Sequence, residues 1–383
     1  MPSPTGYTSW TGNVGLSETD RDDFALIVSA RPTTSSAVYT QSLFAGPCVR
    51  LSRAATDERA ARGVVVLAKN ANVAAGEAGL ADADEVRARA AAIAGVEPEE
   101  LVIASTGVIG RPYPMPRIRE GIAAIADRPR SLEGDAVARA IMTTDTCPKV
   151  AARRVGGATV LGIAKGVGMI EPDMATMLSF VFTDAAVPSD RLDPLFRRVV
   201  AKTYNSVSID TDTSTSDTAA VIANGAAGPV NLDEFESALT AVCTDLVKMI
   251  AKDGEGATTL IEVAVTGARD TAQAARVGKA VVNSPLVKTM VHGRDPNWGR
   301  VLMAVGKCQD DRPIDPDRVT VSFGGHIAYP GRGTDAPLAE IASHLADDEV
   351  HIGVDLGLGD AAWVVYGCDL TEDYIRINAD YTT

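Results

Sequence analysis

Apolar residues along this chain fall into short runs and a few longer periodic stretches. The runs at 64–68, 101–104, 159–164, 260–265, 319–323, 351–356 and 362–366 are short and bounded by turn-forming or polar residues. Each predicts a strand. The stretch 233–252 carries helical spacing: Phe235, Leu239, Val242, Leu246 and Ile250 recur at intervals that keep one face apolar. Asp253-Gly254 follows and should end that helix. The stretch 84–95 is rich in Ala and Arg, with Val86 and Ile93 on one face, and also predicts a helix. Fainter periodicity predicts helices over 191–204 and 271–282. Strands and helices interleave without strict alternation, so the expected fold class is mixed α/β (α+β) rather than a doubly wound sheet. The C-terminal third reads as strand-rich. Residues 1–20 are polar and rich in Gly, Ser and Thr, and read as loose or as an edge. There is no internal repeat and no Pro-rich or Gly/Ser linker.

Composition narrows the function classes. The chain has 383 residues, 46% hydrophobic and 22% charged, which is ordinary for a globular protein with one large or two smaller domains. Lys and Arg number 36 against 50 Asp and Glu, a net charge of −14. That balance argues against a nucleic-acid partner and against an anionic membrane surface. No apolar run approaches the length of a membrane span, and the first residues lack the basic and apolar parts of a signal peptide. Cys48, Cys147, Cys243, Cys308 and Cys368 stand singly, with no disulfide-framework spacing and no zinc motif. The expectation is a cytoplasmic enzyme or binding protein with no metal and no cofactor.

Several common motifs are missing, among them a phosphate-binding loop and a nucleophile elbow. Lys165-Gly-Val-Gly168 lacks the third glycine of a dinucleotide loop. His292, His326, His344 and His351 have no partners at metal-ligand spacing; each suits a general base or an ordinary surface or core role. The segment 166–180 is unusual. Pro172 forbids a regular helix or central strand just before Ala175-Thr176, and Met177, Leu178, Phe180 and Val181 then enter the core. Local pattern alone favours a Pro-Asp turn feeding a buried element. The sharper reading makes Thr176 a nucleophile. A threonine hydroxyl needs an adjacent base, and cutting the chain before it supplies one, its own α-amine. An α-amine titrates near 8 and is substantially neutral at physiological pH.

The block Ala175-Thr176-Met177-Leu178 resembles the self-cleaving Ala-Thr-Met-Leu motif of the ornithine acetyltransferase (glutamate N-acetyltransferase) family. Further blocks resemble that family in its order: Lys69-Asn-Ala-Asn-Val73, Ile103-Ala-Ser-Thr-Gly-Val-Ile-Gly110, Ile141-Met-Thr-Thr-Asp-Thr146 and Gly162-Ile-Ala-Lys-Gly-Val-Gly168. Asp253-Gly-Glu-Gly256, Asp295-Pro-Asn-Trp-Gly-Arg300 and Asn378-Ala-Asp-Tyr-Thr-Thr383 complete the set. The likeness spans most of the chain and reaches the actinomycete branch found with clavulanic-acid-type pathways.

The resemblance implies transfer of an acetyl group from N-acetyl-ornithine to glutamate. Self-cleavage between Ala175 and Thr176 would leave an alpha chain, 1–175, and a beta chain, 176–383, interleaved in one folded unit. Thr176 would take the acetyl group as an ester and pass it to glutamate in a second half-reaction. Thr106 and Gly107 match the family's oxyanion positions, a hydroxyl and a backbone N–H. Without the family likeness they would read as a strand-ending turn. Thr143, Lys165, Thr176, Glu255, Asn378 and Thr383 match its substrate-binding positions. A lysine suits a carboxylate, and Glu255 between two glycines suits an ammonium or the nucleophile's amine. Thr144 is adjacent to Thr143 and competes with it for the same contact. The resemblance also implies an α2β2 heterotetramer.

Two blocks have no assigned role. Residues 208–218 are dense in small oxygen side chains but lack a calcium-loop spacing. Residues 295–300 read as a turn capping a helical stretch at 301–305, with Trp298 and Arg300 as candidate pocket neighbours outside the site proper. Cys147 stands where a larger or charged residue is expected, and a reactive or a merely buried thiol both fit. Three rivals remain at this level. One is a hydrolase or aminopeptidase using the same nucleophile on N-acyl amino acids or peptides. Another is an unprocessed binding protein. The third is a variant that also takes acetyl-CoA.

Overall fold

The computed structural model describes residues 1–171, 177–311, 314–330 and 336–380. Ala175, Thr176 and Thr383 lie outside the described residues. Three five-stranded sheets organise the chain. The first runs β5 (Leu101–Val108), β4 (Gly63–Asn70), β2 (Phe24–Ser29), β1 (Tyr7–Gly12), β6 (Arg130–Ser131). The second runs β3 (Thr34–Tyr39), β10 (Thr218–Pro229), β9 (Leu178–Ala186), β8 (Ala158–Lys165), β7 (Lys149–Val155). The third runs β13 (His326–Tyr329), β12 (Thr320–Phe323), β14 (Glu349–Asp355), β11 (Leu260–Ala268), β15 (Ala361–Cys368). Each sheet mixes one parallel pair (β4 with β5, β9 with β10, β11 with β14) with antiparallel neighbours.

Strand alternation explains the layering. Ala25, Ile27, Val64, Val66, Val102 and Ala104 of the first sheet face Leu161, Ile163, Leu178, Phe180, Ala220 and Ile222 of the second. The residues between them point outward. Leu26, Val65, Leu67 and Ile103 pack under helices Pro47–Glu58, Gly76–Ala94 and Met115–Ile125. Val160, Val181 and Val221 pack under helices Ser189–Lys202 and Leu232–Lys252. The result is a helix–sheet–sheet–helix sandwich. The third sheet builds its own core with helices Thr271–Val282, Pro285–His292 and Gly299–Gly306.

The seven expected strands and four expected helices are all present. Phe235, Leu239, Val242, Leu246 and Ile250 are fully buried, and the Asn231 side chain caps their helix by accepting from the Asp233 and Glu234 amides. The first 20 residues are not loose. β1 lies between β2 and β6, and the Tyr7 hydroxyl sits between the carbonyls of Thr183 (2.9 Å) and Ile222 (2.8 Å) in the second sheet. Two buried aromatic residues, Tyr7 and Trp10, outweigh the polar composition around them. Among the described residues the C-terminal third holds five strands and five α-helices, so strand-rich describes only half of it. The second sheet draws β3, β7 and β8 from before position 176 and β9 and β10 from after it. Among the described residues, no helix is long and apolar enough to cross a membrane.

Candidate active site

One end of the sandwich is where β5 and β8 stop and β9 and β10 begin. A cavity of about 270 Å³ opens there. Thr106, Gly107, Thr143, Lys165, Glu255 and Asn378 line it, and Met177 borders it immediately after Thr176 in the chain. The structure therefore gathers every expected site residue that it describes.

Each is placed by a specific backbone feature. Gly107 faces Lys69 in the parallel register of β4 and β5. Its φ is +132°, and a Cβ there would lie 2.2 Å from the Lys69 carbonyl carbon, so only glycine fits. Lys165 ends β8 opposite Leu178, the second residue after Thr176. Its side chain crosses between the sheets and donates to Thr106 Oγ1 at 3.3 Å. Lys165 is 8% exposed and forms no ion pair among the described residues. Burial lowers its pKa, and the facing carboxylate of Asp145 only partly restores it.

Glu255 follows the end of helix Leu232–Lys252, and its amide donates to the Val167 carbonyl at 2.8 Å. Both carboxylate oxygens are engaged. Thr144 Oγ1 donates to Oε1 at 3.0 Å and Asn378 Nδ2 to Oε2 at 2.9 Å. Gly168 makes room, since a Cβ there would meet the Glu255 carboxylate at 2.6 Å. Thr143 turns to Asp145 instead: its amide donates to Asp145 Oδ2 at 3.0 Å and its carbonyl accepts from Lys69 Nζ. Both threonines line the cavity, with different duties.

The 208–218 block was without a role in the sequence, and it forms a wall of the site. Asp210, Asp212, Ser214, Thr215, Ser216 and Asp217 line the cavity. The Asp210 carboxylate accepts from the Met169 and Ile170 amides, both at 2.7 Å, and anchors the chain just before position 172. On the far side, the Thr218 amide donates to the Met177 carbonyl at 3.1 Å. Asp217 is 2% exposed, and its Oδ2 has no hydrogen-bond partner among the described residues. Burial pushes its carboxyl well above the usual range. The density of short oxygen side chains at 208–218 was the available signal. Thr211, a β-branched residue at φ +70°, marks the strained turn among them. Tyr374 also lines the cavity and reaches Asp210 at 3.4 Å.

Other candidates fall elsewhere. None of the four histidines lines the cavity. His292 pairs with Asp369 at 3.1 Å, and His344 stacks on His351. Trp298 packs on Tyr329 and Arg300 donates to the Leu286 carbonyl, both away from the site. Residues 299–306 are helical, as the 295–300 turn suggests. Cys147 is exposed rather than buried.

Comparison with known proteins gives the same answer as the blocks did. The profile of the ArgJ family matches residues 9–383. The chain belongs to the ArgJ family. It is 60% identical over 383 residues to the arginine biosynthesis bifunctional protein ArgJ of Rhodococcoides fascians, covering 100% of this chain and 95% of that protein. It is 58% identical over 387 residues to the glutamate N-acetyltransferase Oat2 of Streptomyces clavuligerus, covering 100% of this chain and 98% of that one. The crystal structure of the ArgJ bifunctional protein from Bacillus halodurans superposes with a TM-score of 0.50 at 38% identity, covering 54% of this chain and 100% of that chain.

Proposed function

We propose that the chain is a glutamate N-acetyltransferase (ornithine acetyltransferase) that moves acetyl from N-acetyl-ornithine to glutamate through an ester on Thr176. One observation carries this reading. Residues chosen from separate sequence blocks converge on one cavity bordered by Met177. Membership of the ArgJ family and the whole-chain likeness to a glutamate N-acetyltransferase support the same substrates.

The chemistry follows from the geometry. Cleavage between Ala175 and Thr176 frees the threonine amine, which takes the hydroxyl proton as Thr176 attacks the acetyl carbonyl. The oxyanion is met by the Thr106 hydroxyl and the Gly107 N–H, each donor worth about 2.7–4 kcal/mol in comparable sites. Because Thr106 Oγ1 accepts from Lys165, its own hydrogen is free to donate. Lys165, buried and in no ion pair among the described residues, receives a substrate carboxylate. Glu255, held at both oxygens, faces the ammonium. Ornithine leaves, and the glutamate amine takes the acetyl group. The family likeness assigns Thr383, with Asn378, a substrate contact. Neither half-reaction calls for a metal or a cofactor.

The products of cleavage would be chains 1–175 and 176–383, assembling as an α2β2 heterotetramer in the cytoplasm. The second segment holds 208 residues (383 − 175). Intact mass under denaturing conditions tests the reading, with an acetyl-transfer assay beside it. The wild type should give two fragments and transfer acetyl from N-acetyl-ornithine to glutamate. Thr176→Ala should stay whole and inactive. A wild type that stays whole, or that releases acetate without acetylating glutamate, refutes it.

A further inference from the structure

Asp145, Lys149 and Asp253 take no part in the steps above, yet they are buried charges directly behind the cavity. The Lys149 and Asp145 side chains are fully buried. Lys149 Nζ lies 2.8 Å from Asp145 Oδ1 and 2.5 Å from Asp253 Oδ2. Asp145 is a hub. It also accepts from the Gly166 amide at 2.8 Å, next to Lys165, and from the Thr143 amide at 3.0 Å. Asp253 accepts from the Thr146 amide at 3.1 Å and stands two residues before Glu255. One ammonium therefore links the strand end bearing Lys165 to the turn bearing Glu255.

A buried ion pair is weak evidence for stability, because desolvation offsets its attraction. Its directional bonds do fix position. We propose that Lys149, bridging Asp145 and Asp253, is a positioning residue for acetyl transfer: it sets Lys165 against Glu255 and balances the charge around the Lys165 ammonium. This rests on the acetyltransferase reading above. Asp145 and Lys149 precede position 176 and Asp253 follows it, so the clamp spans both products of cleavage.

The charge balance gives a specific signature. The groups facing Lys165 are Asp145 and Lys149, Asp217 at the start of β10, Glu255 on its turn, and Lys69 at the end of β4. Thr106 contributes a neutral hydroxyl. Neutralising Lys149 leaves Asp145 and Asp253 unopposed, so Lys165 should hold its proton to higher pH. Neutralising Asp145 removes the carboxylate that most favours the Lys165 ammonium and leaves Lys149 paired with Asp253 alone, so Lys165 should lose its proton at lower pH. Opposite shifts from the two ends of one ion pair are not produced by loosened packing.

The experiment compares wild type, Lys149→Met and Asp145→Asn as full chains, each checked for cleavage by mass, and follows kcat/KM for N-acetyl-ornithine against pH. Both variants should lose about tenfold or more, the equivalent of one broken polar contact. The alkaline limb should move up in Lys149→Met and down in Asp145→Asn. If either fails to fold, Lys149→Arg takes its place; it keeps the charge, so it should lower kcat/KM and leave the limb in place. Unmoved limbs, parallel shifts, or a shifted limb in Lys149→Arg overturn the assignment while leaving the enzyme's function intact. A wild type without acetyl transfer overturns the functional reading, and this assignment with it.

Discussion

Thr144 Oγ1 donates to Glu255 Oε1 across 111 residues of sequence, while its neighbour Thr143 turns away to Asp145. The two threonines therefore have separable effects. Thr144→Val keeps the shape and removes one charge-assisted hydrogen bond, worth about 1.5–3 kcal/mol. We expect kcat/KM to fall roughly 10- to 100-fold, since 1.4 kcal/mol is a factor of ten. Thr143→Val leaves the Glu255 contact in place and should act on substrate affinity. Steady-state kinetics on the two variants separates them. Equal losses, with identical effects on KM, would contradict the division.

Much of this was legible in the sequence, for a physical reason. Runs such as 64–68 and 101–104 are dense in buried aliphatic residues because they lie at the centre of a sandwich with both faces covered. β10 was not legible. Its sequence is rich in Ala and Gly with few β-branched residues, and it is a strand because β3 and β9 flank it. The site shows the same split. Thr106, Lys165 and Glu255 sit in blocks that resemble a known family. Thr144 and Lys149 owe their importance to partners far away in sequence, and no local pattern marks such contacts.

Gly107→Ala tests the oxyanion turn. The φ of +132° and the 2.2 Å approach to Lys69 act together. Overpacking of this kind costs about 1–3 kcal/mol, and the unfavourable φ adds about 1–2 more. Gly110→Ala is the control: its φ is +80°, but nothing lies within 4 Å of its Cβ position. It should lose only the backbone term. Denaturant unfolding of the two variants measures the difference, and comparable losses would mean the close approach relaxes freely.

Asp217 gives a stability prediction with a definite pH sense. Burial raises its carboxyl well above the ordinary value of 3.8, so the folded state favours the neutral acid. Below about pH 3.8 both folded and unfolded states carry the proton, and no penalty exists. As pH rises from there, the unfolded state ionises first and gains, so stability falls until the folded-state pKa is passed. Asp217→Asn removes that penalty. It should be more stable than wild type at neutral pH and equal to it in strong acid. Thermal melts at the two pH values decide the matter. A variant less stable than wild type at neutral pH, with the difference shrinking in strong acid, would show instead that the carboxylate is ionised and partnered.

The two segments that the proposed cleavage would leave should not separate under native conditions. β8 precedes position 176 and β9 follows it, and they are hydrogen-bonded neighbours along six residue pairs. Leu178, Phe180 and Phe182 after the cut are buried between sheets largely built before it. Each fully buried side chain of this size contributes about 1.5–3 kcal/mol. Polar contacts add direction: Asp184 Oδ1 accepts from the Thr159 amide at 2.7 Å, and Oδ2 accepts from the Thr5 amide at 2.9 Å. Summed over the interface, this attraction leaves no measurable dissociation at assay concentrations. Gel filtration of the processed protein should therefore give one peak containing both fragments, resolved only by denaturant. Residues 1–175 expressed alone should fail to fold, because β8 would present an unpaired edge and an uncovered apolar face. Separation of the fragments in native buffer, or a cooperatively folded 1–175, would show that the sheets do not depend on each other in this way.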